Sequence, residues 1–352
     1  MTSRKRPNDS PGSPSRRILR RSQRGQVFAL VAVSMVALVA LGGFVVDVGG
    51  AYYAHRRAQA AADASALAAA QLLPADTAAA TAAANQVQAQ NLPDGSIDSP
   101  TYGSTYTAND TVSVRANKSL SGVFSNLFTG KVAHADAKAT VASYTGWSMN
   151  IAPWAIPQAS LVWGQTVMFK TDTAGQGNFG GAQLPVLEYS CSLGTGGNDY
   201  RDLIANSEHS CLVRVGDQLQ SKTGNLAGPT FQGLQNRTVN GQGVITPFCP
   251  SPSSCPILKL QSDGSYVLTT YNHPNLIVIP VVDQVSNGSK PYTVVGFAWF
   301  IIQNYTSKTV SGMFIGSQAP SAAKCPTATN PNAPCPVGAY NSLGFKTILL
   351  TG

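Results

Sequence analysis

Residues 20–70 read RRSQRGQVFALVAVSMVALVALGGFVVDVGGAYYAHRRAQAAADASALAAA, and the way this stretch divides decides the fold. From Gly25 to Val46 run 22 residues without a charge. At ~1.5 Å per residue, a helix of that length crosses the ~30 Å hydrocarbon layer of a bilayer. A secretory signal has a shorter apolar region, ~7–15 residues, followed by a small-residue cleavage site. Asp47-Val48-Gly49-Gly50 supplies no such site, so the span is expected to be retained as an anchor. Arg4, Lys5, Arg6, Arg16, Arg17, Arg20, Arg21 and Arg24 precede the span, whereas His55, Arg56 and Arg57 follow it only after several residues. Lys and Arg stay on the cytoplasmic side. The expectation is a single-pass protein of the cell membrane, N-terminus cytoplasmic and C-terminal domain extracytoplasmic, with the lipid bilayer as first partner. Asp47 falls at the outer edge, within reach of headgroup water.

The charge distribution supports this division. The 352 residues carry a net charge of +8, with 24 basic and 16 acidic side chains. Residues 1–24 hold eight of the bases against Asp9 alone, so the remainder is close to neutral. With Pro7, Pro11, Pro14 and several serines, the tail is expected to be disordered. The basic character belongs to that tail and describes no folded nucleic-acid-binding face, so no nucleic-acid partner is expected. A hydrophobic content of 43% allows a core, and the 11% of charged residues is low for a soluble domain, where ~25% is usual.

Beyond the span, residues 51–73 are rich in Ala, the strongest helix former, and continue the membrane helix outward. Ala58, Ala62, Ala66 and Ala70 fall at i, i+4 spacing and form a small-residue stripe suited to close packing against another helix. Leu72-Leu73-Pro74 ends the helix. A second helix is expected over about 75–90, then a turn-rich linker from Asn91 to Tyr106. Thr111-Val112-Ser113-Val114-Arg115 alternates with period two, and Val132–Ser143 reads as a second strand. Val123–Phe128 between them reads as a short apolar helix or turn.

Residues 146–352 read as a separate, mostly β domain of sandwich or barrel-like type. Expected strands are 160–171, 184–190, 211–215, 265–271, 275–282, 292–303, 308–315 and 344–350, separated by Gly/Pro/Asn/Ser-rich loops, and no amphipathic helical period stands out. The fold class is therefore α+β: a disordered tail (1–24), a transmembrane helix (25–46), a helical rod with a small sheet (47–145) and a β-rich domain (146–352). All six cysteines (Cys191, Cys211, Cys249, Cys255, Cys325 and Cys335) follow the span, which suggests disulfides in an oxidising compartment. Six cysteines allow 15 pairings. Neighbour pairing, 191–211, 249–255 and 325–335, is expected because each pair brackets one loop. There is no C-x-x-C, and His55, His134, His209 and His273 are scattered, so no metal is expected.

The catalytic inventory is thin. Gly175-Gln176-Gly177-Asn178-Phe179-Gly180 matches G-x-G-x-x-G, but Gln183-Leu184-Pro185-Val186-Leu187 is no helix, and a dinucleotide site needs one. Ser321-Ala322-Ala323-Lys324 and Lys222-Thr223-Gly224 match S-x-x-K and K-T-G, but in reversed order and without S-D-N. Asp199 and Asp202 could face each other across a turn. Asp63-Ala64-Ser65 begins like a metal-binding D-x-S-x-S but lacks the third ligand and lies in a helix. No G-x-S-x-G or H-E-x-x-H occurs. No catalytic residue and no cofactor is expected.

Several motifs of residues 20–70 occur together: Arg24-Gly25-Gln26 before the span, Val46-Asp47-Val48-Gly49 at its end, then Tyr52 or Tyr53, Arg56-Arg57, Gln59 and Ala61–Ala70. In their order and spacing they resemble the N-terminal segment of TadE/TadG-like Flp (tight adherence) pilus-assembly proteins. Phe124–Ala142, an F-x-x-L-F turn followed by an alternating Ala/Val strand, resembles that family's continuation. Gly177–Gly180, Asp199–Arg201, Val215–Asp217, Gly224–Thr230 and Gly296–Ala298 are similar to the C-terminal part of TadG-related proteins. The resemblance implies a bitopic, non-enzymatic bacterial envelope protein, whose partners are other pilus-assembly or pilin-like membrane proteins met through the N-terminal helix. TadE-type pseudopilins carry a Glu five residues after their prepilin cleavage site; if Gly25–Gln26 were that site, the position here is Leu30, so peptidase processing is not expected. The adhesion-type von Willebrand A domain of some TadG proteins is not visible. The expected function is a membrane-anchored component of the Flp/Tad pilus assembly or envelope adhesion apparatus. The alternative is a tethered extracytoplasmic binding module for a glycan or surface ligand, with Trp147, Trp154 and Trp163 either stacking on sugars or packing in the core.

Overall fold

The computed structural model describes residues 24–120, 132–171, 180–184, 196–206, 212–222, 224–262, 264–284, 291–316, 323–325 and 332–351. The expected turn at 123–128 and most of the strand at 184–190 lie outside these residues. The helices are α1 (Arg24–Ala70), α2 (Thr77–Asn91), α3 (Gly197–Ala205) and α4 (Ala227–Asn236). The principal strands are β1 (Gly95–Ile97), β2 (Thr101–Gly103), β3 (Thr111–Ser119), β4 (Val132–Tyr144), β5 (Thr166–Lys170), β6 (Ala182–Gln183) and β7 (Gln218–Ser221). They continue with β8 (Leu258–Leu260), β9 (Tyr266–Leu268), β10 (Leu276–Val282), β11 (Pro291–Tyr305), β12 (Val310–Gly316), β13 (Val337–Gly338) and β14 (Lys346–Thr351). The chain is α+β. It divides into two compact units, Met1–Ala54 with Ser119–Ala133, and His55–Lys118 with His134–Gly352. The described part of the first unit is mainly the N-terminal portion of α1.

The second unit holds two main sheets. The first has six strands, β1 to β4 with β13 and β14. β1 and β2 both pair antiparallel with β3, so the segment read as a linker, Asn91–Tyr106, carries two edge strands. Three residues are too short to show a period, which is why sequence reading passed over them. β14 pairs antiparallel with β4, Leu349 opposite Thr140, so the end of the chain completes the sheet begun at residue 95. One face of this sheet is alanine-rich: Val112, Val114 and Ala116 of β3, and Ala135, Ala137, Ala139 and Val141 of β4, are buried together. The alternation visible in the sequence marks that face. Asp76 starts α2 by accepting the Ala79 N–H at 2.9 Å, an N-cap that satisfies an otherwise orphaned donor.

The seven-stranded sheet is built around β11, which pairs with β10, β7 and β12. All seven residues of β10, LIVIPVV, are buried, because the sheet is covered on both faces and a near-continuous apolar run results. Leu276, Val278 and Val282 enter one core with Trp147, Trp299 and Phe345. Ile277, Ile279 and Val281 enter the other, with Tyr200, Ile204 and Leu234 of α3 and α4. In β11 the parity switches: Tyr292 and Val294 face the first core, but after the irregularity beside Val281/Val282 it is Phe297, Trp299 and Ile301 that do so. One extra residue in a strand reverses the face of everything beyond it, which is the effect of a bulge. At Gly296 a Cβ would overlap the Leu343 carbonyl, so only glycine lets that backbone cross the strand. Phe297 N–H donates to the same carbonyl at 3.1 Å.

Two expectations change here. The region from 146 onward contains helices: α3 buries Tyr200, Leu203 and Ile204, and α4 buries Thr230, Gly233 and Leu234. Each shows only one apolar turn, too little for a period to stand out. The expected strand 160–171 shrinks to Thr166–Lys170, because Gln158–Ser160 is a tight 3-10 turn and Gly164 adopts a positive φ of 73°.

Candidate functional site

The site singled out by the sequence is α1. From Val27 onward its first half presents exposed apolar side chains: Phe28 is 80% exposed, Val39 70% and Val45 68%. Burial of such a side chain is worth roughly 1.5–3 kcal/mol, so leaving this surface in water is costly. The helix is long and apolar enough to cross a membrane, its most apolar window reaching a mean hydropathy of 2.6. Tyr52 and Tyr53 follow, both exposed.

From His55 the helix is seated on the six-stranded sheet. Ala58, Ala62, Ala66 and Ala70, the expected packing stripe, are all fully buried, together with Ala61 and Ala69. They share one core with Ala80 and Ala84 of α2 and with the alanine face of β3 and β4. The stripe therefore meets its own chain. Polar bonds fix the register: His55 Nδ1 lies 2.9 Å from the His134 carbonyl, and Gln59 Nε2 donates to the Asp136 carbonyl at 3.1 Å. Lys346 Nζ donates to the Gln71 carbonyl at the helix end, 2.6 Å away. Asp94 pairs with Lys118 and, at 3.6 Å, with Arg57. The Lys118 bond, with the Arg57 charge adding to it, holds the Asp94 carboxyl below the usual carboxylate range against the opposing effect of desolvation. This three-residue cluster was not legible in the sequence, since its members lie on three separate elements.

Among the described residues, the polar side chains of the sequence motifs each have local partners. Asp199 accepts the Gly196 N–H at 3.1 Å at the start of α3, and Asp202 pairs with Arg201 at 2.8 Å. Asp63 accepts from Gln59 at 2.8 Å within α1. Lys222 Nζ donates to the Gly196 carbonyl at 3.3 Å, and Lys324 Nζ to Asn332 Oδ1 at 2.9 Å. Residues 175–179, Thr223 and Ser321 lie outside the described residues. Tyr200 is buried and receives the Trp154 indole N–H at 2.8 Å; burial pushes its phenol up to about 12. Among the described residues no three His, Cys, Asp or Glu side chains group as metal ligands.

Two expected disulfides are present, Cys249–Cys255 and Cys325–Cys335. The pair Cys191 and Cys211 lies outside the described residues. Trp147 and Trp154 are fully buried core residues, whereas Trp163 is 45% exposed. Arg237, unremarked in the sequence, is buried: its guanidinium donates to the carbonyls of Pro274 (2.8 Å), Ile204 (2.9 Å) and Leu276 (3.1 Å) and to Asn150 Oδ1 (3.4 Å). Burial lowers its pKa to about 10.

The fold defines an α+β protein whose N-terminal helix is long and apolar enough to cross a membrane and whose Ala-rich continuation is built into a sheet core. Residues 25–72 match the family of putative Flp pilus-assembly TadE/G-like proteins. The matched residues cover both parts of α1, the apolar part and the seated part, and they link the chain to Flp pilus assembly. No curated protein and no solved structure matches the chain.

Proposed function

We propose that this protein is a non-enzymatic, single-pass component of the Flp pilus assembly apparatus, anchored by residues 25–46 with its N-terminus cytoplasmic and its β-rich region outside. The observation that carries the reading is the division of one family-matched helix into an exposed apolar part and a part buried against its own sheet. A helix whose Ala stripe is already satisfied has its apolar part left for lipid and for partner helices. Gly42 and Gly49 lie a heptad apart with open space where a Cβ would sit, which allows a partner helix to approach closely. The two disulfides support an oxidising compartment for the β-rich region. The bonds that occupy Asp63, Asp199, Asp202 and Lys222 support a structural role for each.

Topology is tested by placing one cysteine in the tail, Ser10→Cys, or on the exposed turn between β1 and β2, Ser99→Cys. Intact cells treated with a membrane-impermeant maleimide should label Ser99→Cys and leave Ser10→Cys unlabelled. The reverse pattern sinks the orientation. Pili assembled normally in a strain lacking this protein would sink the functional reading.

A further inference from the structure

Between the β8–β9 hairpin and the end of β12 lies a cleft of about 560 Å3. Trp163, Tyr266, Tyr271 and Trp299 line it, with Leu258 and Gly316. Trp163 and Tyr266, both lining the cleft, place their ring centroids 5.5 Å apart with planes tilted by 32°. Tyr271 and Trp299 form a second pair at 5.5 Å. Trp163 is fixed rather than loose: its indole N–H donates to the Ile315 carbonyl at 3.2 Å. Tyr271 is held through its own carbonyl, which accepts from Asn150 Nδ2 at 3.1 Å. The rim is low. At Gly264 (φ +82°) and Gly316 (φ +123°) a side chain would be strained, and nothing stands within 4 Å of where a Cβ would be.

We infer that this cleft binds a neutral sugar of a glycan. No acid, lysine, arginine or histidine is among its described lining residues, so the described lining favours a neutral ligand. Aromatic faces with polar edges suit a ligand whose one side is C–H and whose perimeter is hydroxyl; Tyr and Trp supply both an apolar body and a polar handle. A volume of this order falls in the range of small-ligand sites. A proline-rich peptide, the other ligand of aromatic grooves, would call on the indole N–H for its carbonyls, and here that donor is already engaged. Of the tryptophans Trp147, Trp154 and Trp163, only the last can reach a ligand, because the other two have no exposed surface. The inference is independent of the pilus reading, since a glycan site on this face and the role of α1 fail or stand separately.

The test uses the full chain in detergent, titrated with maltoheptaose, mannopentaose and N-acetylchitotetraose as neutral probes, with pentagalacturonate and decaproline beside them. Tryptophan emission and calorimetry are read together. At least one neutral probe should bind with a Kd in roughly the micromolar to millimolar range, and Trp163→Ala and Tyr266→Ala should each weaken it by ~10-fold or more. Trp163→Phe should retain most of the affinity, and unchanged circular dichroism in every variant would separate loss of the ring pair from loss of the fold. The inference is overturned if no neutral probe binds, if decaproline binds in their place, if pentagalacturonate binds equally well, or if Trp163→Ala leaves affinity unchanged.

Discussion

Replacing Ala62 by Leu tests whether the stripe belongs to this chain's own core or to a partner. Ala62 is fully buried, and so are Ala58 and Ala66 one turn to either side. The surface they share a core with on β4 is Ala135, Ala137 and Ala139. A methyl group has no rotatable torsion, so these neighbours cannot swing aside as a Leu or Met would. The added carbons must separate helix from sheet or strain the backbone, which typically costs ~1–3 kcal/mol. Leu ranks close to Ala in helix propensity, so the local helix is not the variable. For a body of this size, ~2 kcal/mol corresponds to a fall in midpoint of ~3 °C. Ala62→Leu combined with Ala66→Leu should cost more than either alone but less than their sum, since the sites are neighbours. Ala60→Leu, on the exposed side of the same turn, should stay within ~0.5 kcal/mol of the parent. The assay is thermal unfolding of the full chain in detergent, followed by near-ultraviolet circular dichroism of the buried Trp147, Trp154 and Trp299, with amide exchange of β4 beside it. If Ala62→Leu and Ala66→Leu unfold like the parent while pilus assembly is lost, the stripe serves a partner helix and the packing argument is wrong.

Arg237→Met removes the donor to three buried carbonyls and to Asn150; each orphaned acceptor costs ~1–3 kcal/mol, partly offset by relief of the buried charge, so a net loss of ~3 kcal/mol is expected in urea unfolding. His273 is stacked on Phe248 with ring centroids 4.8 Å apart, and burial holds its imidazole below the ordinary value. Its folded pKa is depressed, so its contribution to stability is complete above the unfolded value of ~6.5 and is lost as pH falls through the folded pKa; His273→Gln should remove that component from a pH series of unfolding midpoints. Breaking Cys249–Cys255 or Cys325–Cys335 by Cys→Ser pairs should each cost ~2–3 kcal/mol, given loops closed over 6 and 10 residues; midpoints unchanged in both would show that neither bond constrains the chain.

Much of the architecture was legible because its signals are local. An uncharged run of 22 residues, a proline after Leu72-Leu73, and period-two alternation in β3 and β4 each follow from what a few consecutive residues can do in lipid, helix or sheet. The two described disulfides were legible for the same reason, since each closes a short loop. The short strands β1 and β2 and the single apolar turns of α3 and α4 carry too little period to be read.

The sequence alone determined that residues 25–46 are apolar enough to span a bilayer, that the Ala-rich continuation is a helix, and that the C-terminal region is mostly β. Which surface covers the Ala58–Ala70 stripe was decided only by the tertiary structure, as was the return of β14 to β4 and the gathering of Trp163, Tyr266, Tyr271 and Trp299 around one cleft. The reason is the range of the forces that select them. Helix propensity, hydropathy and alternation act between neighbours in the chain, whereas close packing acts between surfaces brought together from tens or hundreds of residues apart, and an alanine face shows its partner only when that partner is in place.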